Sequence, residues 1–297
     1  MNDAERNILV VVHARRDDTV AAAQRVVSAL RDAGARPVLS VDDREELGDA
    51  LALLGPVLTL GVDVSVDAIE LAIVLGGDGT ILRAAELVRE GTAPVLGINM
   101  GHVGFLAEIE RDDMDYAVGR AIAREYAVEE RLALGVRVKD ASDDLLYETW
   151  ALNEATVEKA SRERMLEVVI EIDGRPLSSF GCDGVVVSTP TGSTAYNFSA
   201  GGPVIWPTVE AIAVVPLSAH ALFAKLLVVG PEHAVAIEVL ERTNGTGVLW
   251  CDGRRSVDLP PGARIEVCRS EQPVRLARLS GDPFTDRLVE KLRLPPG

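Results

Sequence analysis

The sequence predicts an α/β N-terminal domain built on a parallel sheet, then a β-rich C-terminal domain and a final helix returning to the first domain. Three observations predict it. In the first third of the chain, apolar runs alternate with helical periods across short connections, the pattern of parallel strands covered by helices. From about Glu130, short β-branched segments follow one another between turn dipeptides, the texture of antiparallel sheet. Near the C-terminus a helical period runs over Pro283–Arg293. The expected boundaries are 1–130, 131–275 and 276–297.

In the first domain Asn7–His13 reads as a buried strand. Asp17-Asp18-Thr19 offers a helix cap, and Val20–Ala33 has helical spacing that closes at Gly34. Pro37–Val41 and Leu71–Leu75 read as the next strands. Gly76-Gly77-Asp78-Gly79-Thr80 follows, then a helix from about Ile81 to Glu90 and a strand over Pro94–Asn99. Ligands of such sheets gather at the carboxyl ends of strands, where the Gly76 turn and Gly97-Ile98-Asn99-Met100-Gly101 both lie. In the second domain the expected strands are Leu134–Lys139, Met165–Ile172, Gly184–Ser188, Ala211–Val215, Leu226–Val229, Val235–Leu240, Gly247–Cys251 and Ile265–Arg269. Asp173-Gly174, Asn244-Gly245, Asp252-Gly253 and Pro260-Pro261-Gly262 supply turns.

Composition narrows the function. The chain has 297 residues, 47% apolar and 26% charged, enough for two domains with a large core. It holds no apolar run of about 18 residues, and its N-terminal apolar run of about seven lacks a signal-peptide layout. A net charge of −16 disfavours nucleic acid and anionic membranes as partners. Aromatics at 4% disfavour a base-stacking platform. Cys182, Cys251 and Cys268 show no CxxC spacing, which fits a reducing cytoplasm. His13, His102, His220 and His233 are scattered, so no histidine-built metal site is expected. GxxxxGK[ST], a strand-borne GxGxxG, HExxH and GxSxG are all absent.

The Gly76–Thr80 turn ends a strand and opens a helix. Glycines there admit phosphate oxygens to backbone N–H groups, and a helix N-terminus adds positive potential. Asp78 is either a plain helix cap or a carboxylate aimed at the phosphate site, able to take a proton from an attacking hydroxyl. Arg83, one turn on, could steady an anion or be a solvated helix charge. This turn resembles the GGDG(T/S) turn of NAD kinases, diacylglycerol-type lipid kinases and phosphofructokinases, so other motifs must choose.

Those motifs lie in the second domain. Asn153-Glu154 pairs an amide with a carboxylate at a strand end, a donor and acceptor set suited to ribose hydroxyls. Phe180–Pro203 reads FGCDGVVVSTPTGSTAYNFSAGGP. Its turn packs hydroxyls at Ser188, Thr189, Thr191, Ser193 and Thr194 with little charge. They suit a ribose, an adenine edge and a diphosphate.

GGDGT (76–80), GINMGHVGFL (97–106), LNE (152–154), DGVVVSTPTGSTAYNFSAGGP (183–203) and CDGR (251–254) together resemble a bacterial cytoplasmic NAD kinase, actinobacterial-like, over essentially the full length. The resemblance implies phosphate transfer from ATP, or polyphosphate, to the 2′-hydroxyl of the adenosine ribose of NAD. It implies that Asp78 is the general base, beside Gly79. It implies NAD contacts at Arg83, Asn153, Glu154, Arg164, Asp183, Thr194, Ala195, Tyr196, Asn197, Phe198 and Ser199. Arg254 stands where the family pattern has Gln, and Lys225-Leu226 where relatives show Arg-Pro; Arg254 could meet a phosphate, and Lys225 is given no role. Mg²⁺ or Mn²⁺, held mainly by substrate phosphates, and a homodimer or homotetramer are implied too. A lipid kinase and a non-catalytic NAD-binding regulator are the rival readings.

Overall fold

The structure is a computed structural model and describes residues 5–13, 17–101, 104–161, 165–219, 225–243, 246–279 and 284–293. The chain forms two compact units, Met1–Glu130 with Val274–Gly297, and Arg131–Pro273. The first unit runs β1 (Asn7–Val12), α1 (Asp17–Asp32), β2 (Arg36–Leu39), α2 (Val41–Leu47), α3 (Leu51–Leu54), β3 (Leu58–Thr59), β4 (Ile69–Leu75), α4 (Asp78–Leu87), β5 (Val95–Asn99), β6 (Ile109–Glu110), α5 (Met114–Ile122) and β7 (Ala127–Arg131).

The second unit contains β8 (Leu134–Lys139), β9 (Leu145–Ala151), β10 (Glu154–Lys159), β11 (Leu166–Ile172), β12 (Arg175–Cys182), β13 (Gly184–Ser188), α6 (Tyr196–Ser199), β14 (Ile212–Leu217), β15 (Leu227–Val229), β16 (Val235–Val239), β17 (Gly247–Cys251), β18 (Arg255–Leu259) and β19 (Arg264–Arg269). It forms two six-stranded sheets, ordered β15-β14-β13-β10-β17-β18 and β12-β11-β16-β19-β8-β9. Their inner faces share one core, in which alternate residues such as Val185 and Val187 meet Val168 and Ile170. The chain then returns to the first unit as β20 (Val274–Arg278) and α7 (Phe284–Leu292).

The sheet of the first unit is ordered β3-β2-β1-β4-β5-β20-β7, with β6 beside β5. Strand β1 pairs in parallel with both β2 and β4. Every residue of β1 and β5 is buried, as a sheet covered on both faces requires. Because β2 and β3 lie to one side of β1 and β4 to the other, the strand order reverses between β1 and β4. The carboxyl ends flanking such a reversal are where open α/β sheets bind ligands, and the Gly76 turn leaves β4 there.

Three local departures from the expected elements have physical causes. The second strand stops at Leu39 because Ser40 caps α2, its hydroxyl accepting from Asp43 N at 3.0 Å. Helix α4 begins at Asp78, ahead of Ile81, because the Gly77 carbonyl already accepts from Thr80 and Ile81. Strands β3, β6, β7, β9, β10, β12, β18 and β20 lie outside the expected set; β3 and β6 are two residues long, and β9, β12 and β18 are exposed over much of their length, with Leu145, Leu146 and Leu177 among the exposed residues. The expected Asn244-Gly245 turn and Pro283 fall outside the described residues.

Candidate active site

Asp78 is the first helical residue of α4. Gly77 occupies the cap position and makes no side-chain cap bond, so the plain-cap reading of Asp78 fails. The half-buried carboxylate is instead gripped from outside its helix. Phe105 N donates to Oδ2 and Leu106 N to Oδ1, each at 3.1 Å. Gly104 makes the grip possible, since a Cβ there would come within 2.3 Å of Oδ1. Each carboxylate oxygen keeps a further lone pair for a ligand proton.

The three glycines around Asp78 act through space rather than through unusual torsions. None is among the positive-φ glycines. A Cβ on Gly76 would strike the Thr80 side chain at 2.4 Å, whereas Gly77 and Gly79 face open space. Bare backbone beside a carboxylate at a helix N-terminus is a surface that a phosphate can approach.

Arg83 is placed elsewhere. Its guanidinium donates to Val12 O and to Asp43 Oδ1, both at 2.6 Å. The Asp43 side chain is fully buried, and Ser40 Oγ also donates to it. This corrects the expectation of an anion contact, because the charge of Arg83 is committed to an internal ion pair tying α4 to α2 and the end of β1.

In the second unit, strand register gathers three loops. Glu154 at the start of β10 lies opposite Ser188 at the end of β13. Its neighbour Ala155 lies opposite Cys251 at the end of β17. The Asn153-Glu154 bend, the turn from Thr189 and the Asp252-Gly253-Arg254 turn therefore emerge at one end of three adjacent strands. Asp252 locks them together. Its Oδ2 accepts from Leu152 N at 2.9 Å and its Oδ1 from Asn153 N at 2.7 Å. Arg255 Nη2 binds it at 2.7 Å, and Asp252 N donates to Glu154 O at 3.0 Å. From the sequence, Asp252-Gly253 reads as a turn and as part of the CDGR (251–254) motif; neither reading reveals that Asp252 is buried and bonded to the Asn153 bend.

Most hydroxyls of the 188–194 turn face inward, contrary to the expectation that they meet a ligand. Thr189 Oγ1 donates to Leu152 O at 2.6 Å and accepts from Gly192 N at 3.1 Å. Ser193 Oγ donates to Pro190 O at 2.6 Å and accepts from Ile205 N at 2.9 Å. Thr194 Oγ1 donates to Thr191 O at 3.3 Å. Gly192 lies so close to Asn153 that a Cβ would sit 2.0 Å from its carbonyl oxygen. Asn197 is fully buried, its amide donating to Ser193 O and Pro203 O, so it also builds the loop. What the loop presents outward is Tyr196, Phe198 and Ser199, all exposed, with Thr194 and Ala195 half-buried.

The electrostatics centre on Glu154. Burial, and then the charge of Asp252, push its carboxyl up to about 8, against the pull of a hydrogen bond from the Tyr196 backbone. Burial also raises Asp252, but the Leu152 and Asn153 N–H groups and Arg255 oppose that. Glu154 Oε2 is buried without a hydrogen-bond partner. A carboxyl raised that far keeps its proton at neutral pH, so Glu154 can donate as well as accept.

Asp183 is not gathered at that end. It precedes β13, about 16 Å along the strand from Ser188, and pairs with Lys159. Tyr196 runs between the two ends: its phenol, bonded to Glu158, is raised by burial and by the charges of Glu158, Glu154 and Asp183. Arg254 and Lys225 are exposed. Arg164 lies outside the described residues. Among the described residues, no group of three or more His, Cys, Asp or Glu side chains could hold a metal ion.

Comparison with known proteins finds family models over both parts of the chain. Residues 8–126 match the model of the ATP-NAD kinase N-terminal domain, and residues 152–279 that of the ATP-NAD kinase C-terminal domain. An NAD kinase of Leifsonia xyli is 63% identical over 292 residues, covering 98% of this chain and 96% of the relative. One from Thermobifida fusca is 54% identical over 295 residues, covering 98% and 90%. The fold matches yeast NADH kinase complexed with NADH at a TM-score of 0.89 and 22% identity, over 100% of this chain and 89% of that one. An NAD kinase from Archaeoglobus fulgidus in complex with ATP matches at a TM-score of 0.71 and 26% identity, over 97% and 98%. The chain belongs to the NAD kinase family, phosphotransferases that convert NAD to NADP.

Proposed function

We propose that this NAD kinase transfers the γ-phosphoryl group of ATP to the 2′-hydroxyl of the adenosine ribose of NAD, with Asp78 as general base. One observation carries the reading: a carboxylate at the carboxyl end of β4, both oxygens fixed by backbone N–H groups, beside glycines that leave the backbone open. The ribose hydroxyl gives its proton to Asp78 as its oxygen bonds to phosphorus, and ADP departs with the electrons of the broken P–O bond. Base catalysis of this kind contributes about 10²–10⁴-fold, with positioning supplying most of the rest. Asn153 and the protonated Glu154 hold ribose hydroxyls, and Thr194, Ala195, Tyr196, Phe198 and Ser199 flank the adenosine. Asp183, Arg164 and Arg254 remain outlying NAD contacts in this reading. Arg83 is left out of it because its guanidinium binds Asp43 inside the protein, and Asn197 because its side chain is fully buried with its amide nitrogen bonded to Ser193 O and Pro203 O.

A divalent ion, Mg²⁺ or Mn²⁺, held mainly through the substrate phosphates, would neutralise charge on the triphosphate. Polyphosphate presents the same terminal phosphoryl chemistry and is the second donor considered. A cytoplasmic homodimer or homotetramer completes the reading; the free thiols of Cys182, Cys251 and Cys268 support a reducing compartment.

The test is NADP formation by the purified protein with NAD, Mg²⁺ and either ATP or polyphosphate, the phosphate position being assigned by ³¹P NMR. Asp78→Asn is expected to lower kcat by about 10²–10⁴-fold and to leave NAD affinity, measured by titration calorimetry, within a few-fold. Full turnover by that variant would remove Asp78 from the chemistry.

A further inference from the structure

The backbone segment that grips Asp78 is itself held from the far end of the chain. Glu108 follows Leu106 by two residues, and its side chain is fully buried. It accepts from Arg278 Nη1 at 2.9 Å, Leu279 N at 2.9 Å and Arg287 Nη2 at 2.8 Å. Arg278 lies at the end of β20 and also binds Glu129 at 2.6 Å. Arg287 projects from α7. Two more side chains of α7 reach the same segment: the Phe284 ring lies 6.2 Å from that of Phe105, and Lys291 Nζ stands 6.0 Å from the Phe105 ring centre.

On its other side the segment is tied to the sheet, where Glu108 N donates to Gly97 O at 2.8 Å. It therefore lies between β5 and α7. A buried cluster of this kind adds little stability over apolar packing of the same shape. What it supplies is directional constraint, since a carboxylate bonded by two guanidinium groups and one amide has little freedom to turn. That constraint falls on the residues whose N–H groups orient Asp78.

We propose that α7 acts as a strut for the catalytic carboxylate, with Arg287 and Glu108 as positioning residues for Asp78. Neither touches the carboxylate; both fix the Phe105 and Leu106 amides that do. The proposal rests on Asp78 being the base, and its test separates the two ideas.

Arg287→Ala is expected to lower kcat roughly 10- to 100-fold, the scale of a small misplacement of a reacting group. KM for NAD and for ATP should stay within about threefold, because the substrate-binding groups are untouched. Arg287→Lys, which keeps a cation against Glu108, should recover most of the rate. Hydrogen exchange at the Phe105 and Leu106 amides, read by NMR, should quicken in Arg287→Ala and return towards the parent rate in Arg287→Lys. If Arg287→Ala does not fold, Phe284→Leu, which leaves the ion cluster intact, is judged by the same two readouts. Exchange unchanged at those amides, or a kcat within twofold of the parent despite faster exchange, overturns the strut. If Asp78→Asn proves fully active, the base assignment fails instead, while the exchange result still reports whether α7 holds the segment.

Discussion

Glu154 makes a titration test possible because its folded and unfolded states hold protons differently. Its carboxyl is raised from 4.5 to about 8 in the fold. Below the unfolded value both states are protonated and the side chain has no pH-dependent effect. As pH climbs from about 4.5 to 8, the unfolded chain ionises first, so stability falls across that window and levels off above it. Glu154→Gln cannot ionise. It should match the parent near pH 4.5 and exceed it at pH 9 by on the order of a few kcal/mol, while binding NAD more weakly. Urea midpoints at the two pH values check this; a variant no more stable than the parent at pH 9 would mean that Glu154 ionises freely. Asp78 and Glu154 were both legible as residues because their signals are local: glycines on either side of one, an amide beside the other. Their supports were not. Gly104, which admits the Asp78 carboxylate, lies 26 positions away in sequence, and Asp252, which fixes the Asn153 bend, reads alone as an ordinary turn residue.

The same limit operates on whole elements. Strands β8, β13 and β17 have the expected bounds because their β-branched runs end at turns or polar residues. Strand β10 was missed since its sequence, EATVEK, mixes charge into a run that only pairing with β13 and β17 makes central. Helix α2 was missed because Val41 extends an apolar run, yet Ser40 diverts it. That helix delivers Asp43 to Arg83, a pairing no local pattern announces. The pair predicts a stability effect in place of a binding effect. Arg83→Ala would strand a fully buried carboxylate, at a cost of about 3–5 kcal/mol, with little change in NAD affinity among molecules that remain folded. Asp43→Asn combined with Arg83→Met should recover much of the loss. Thermal melting of the single and double variants decides, and an Arg83→Ala protein with parental melting but weakened NAD binding would return Arg83 to the site.

At the level of the whole molecule, the chain order and the folding unit do not coincide. Residues 1–130 carry the phosphate-site turn, and a reading by position alone treats them as a domain. Yet β20 is inserted between β5 and β7, so the sheet is continuous only when the last residues of the chain are present. Removing it opens a gap beside β5, a strand buried along its whole length, and exposes apolar sheet edge and unpaired backbone. It also removes both guanidinium partners of Glu108 and leaves that carboxylate uncompensated. The fragment 1–130 is therefore expected to aggregate or to populate a state without cooperative melting. Appending residues 274–297 to it through a flexible Gly/Ser linker should restore a single cooperative transition by circular dichroism and slow exchange at the Phe105 and Leu106 amides. Comparable melting of the two fragments would show that β1, β2, β4 and β5 suffice as a folding core, and that the returning strand and helix attach to a sheet already complete without them.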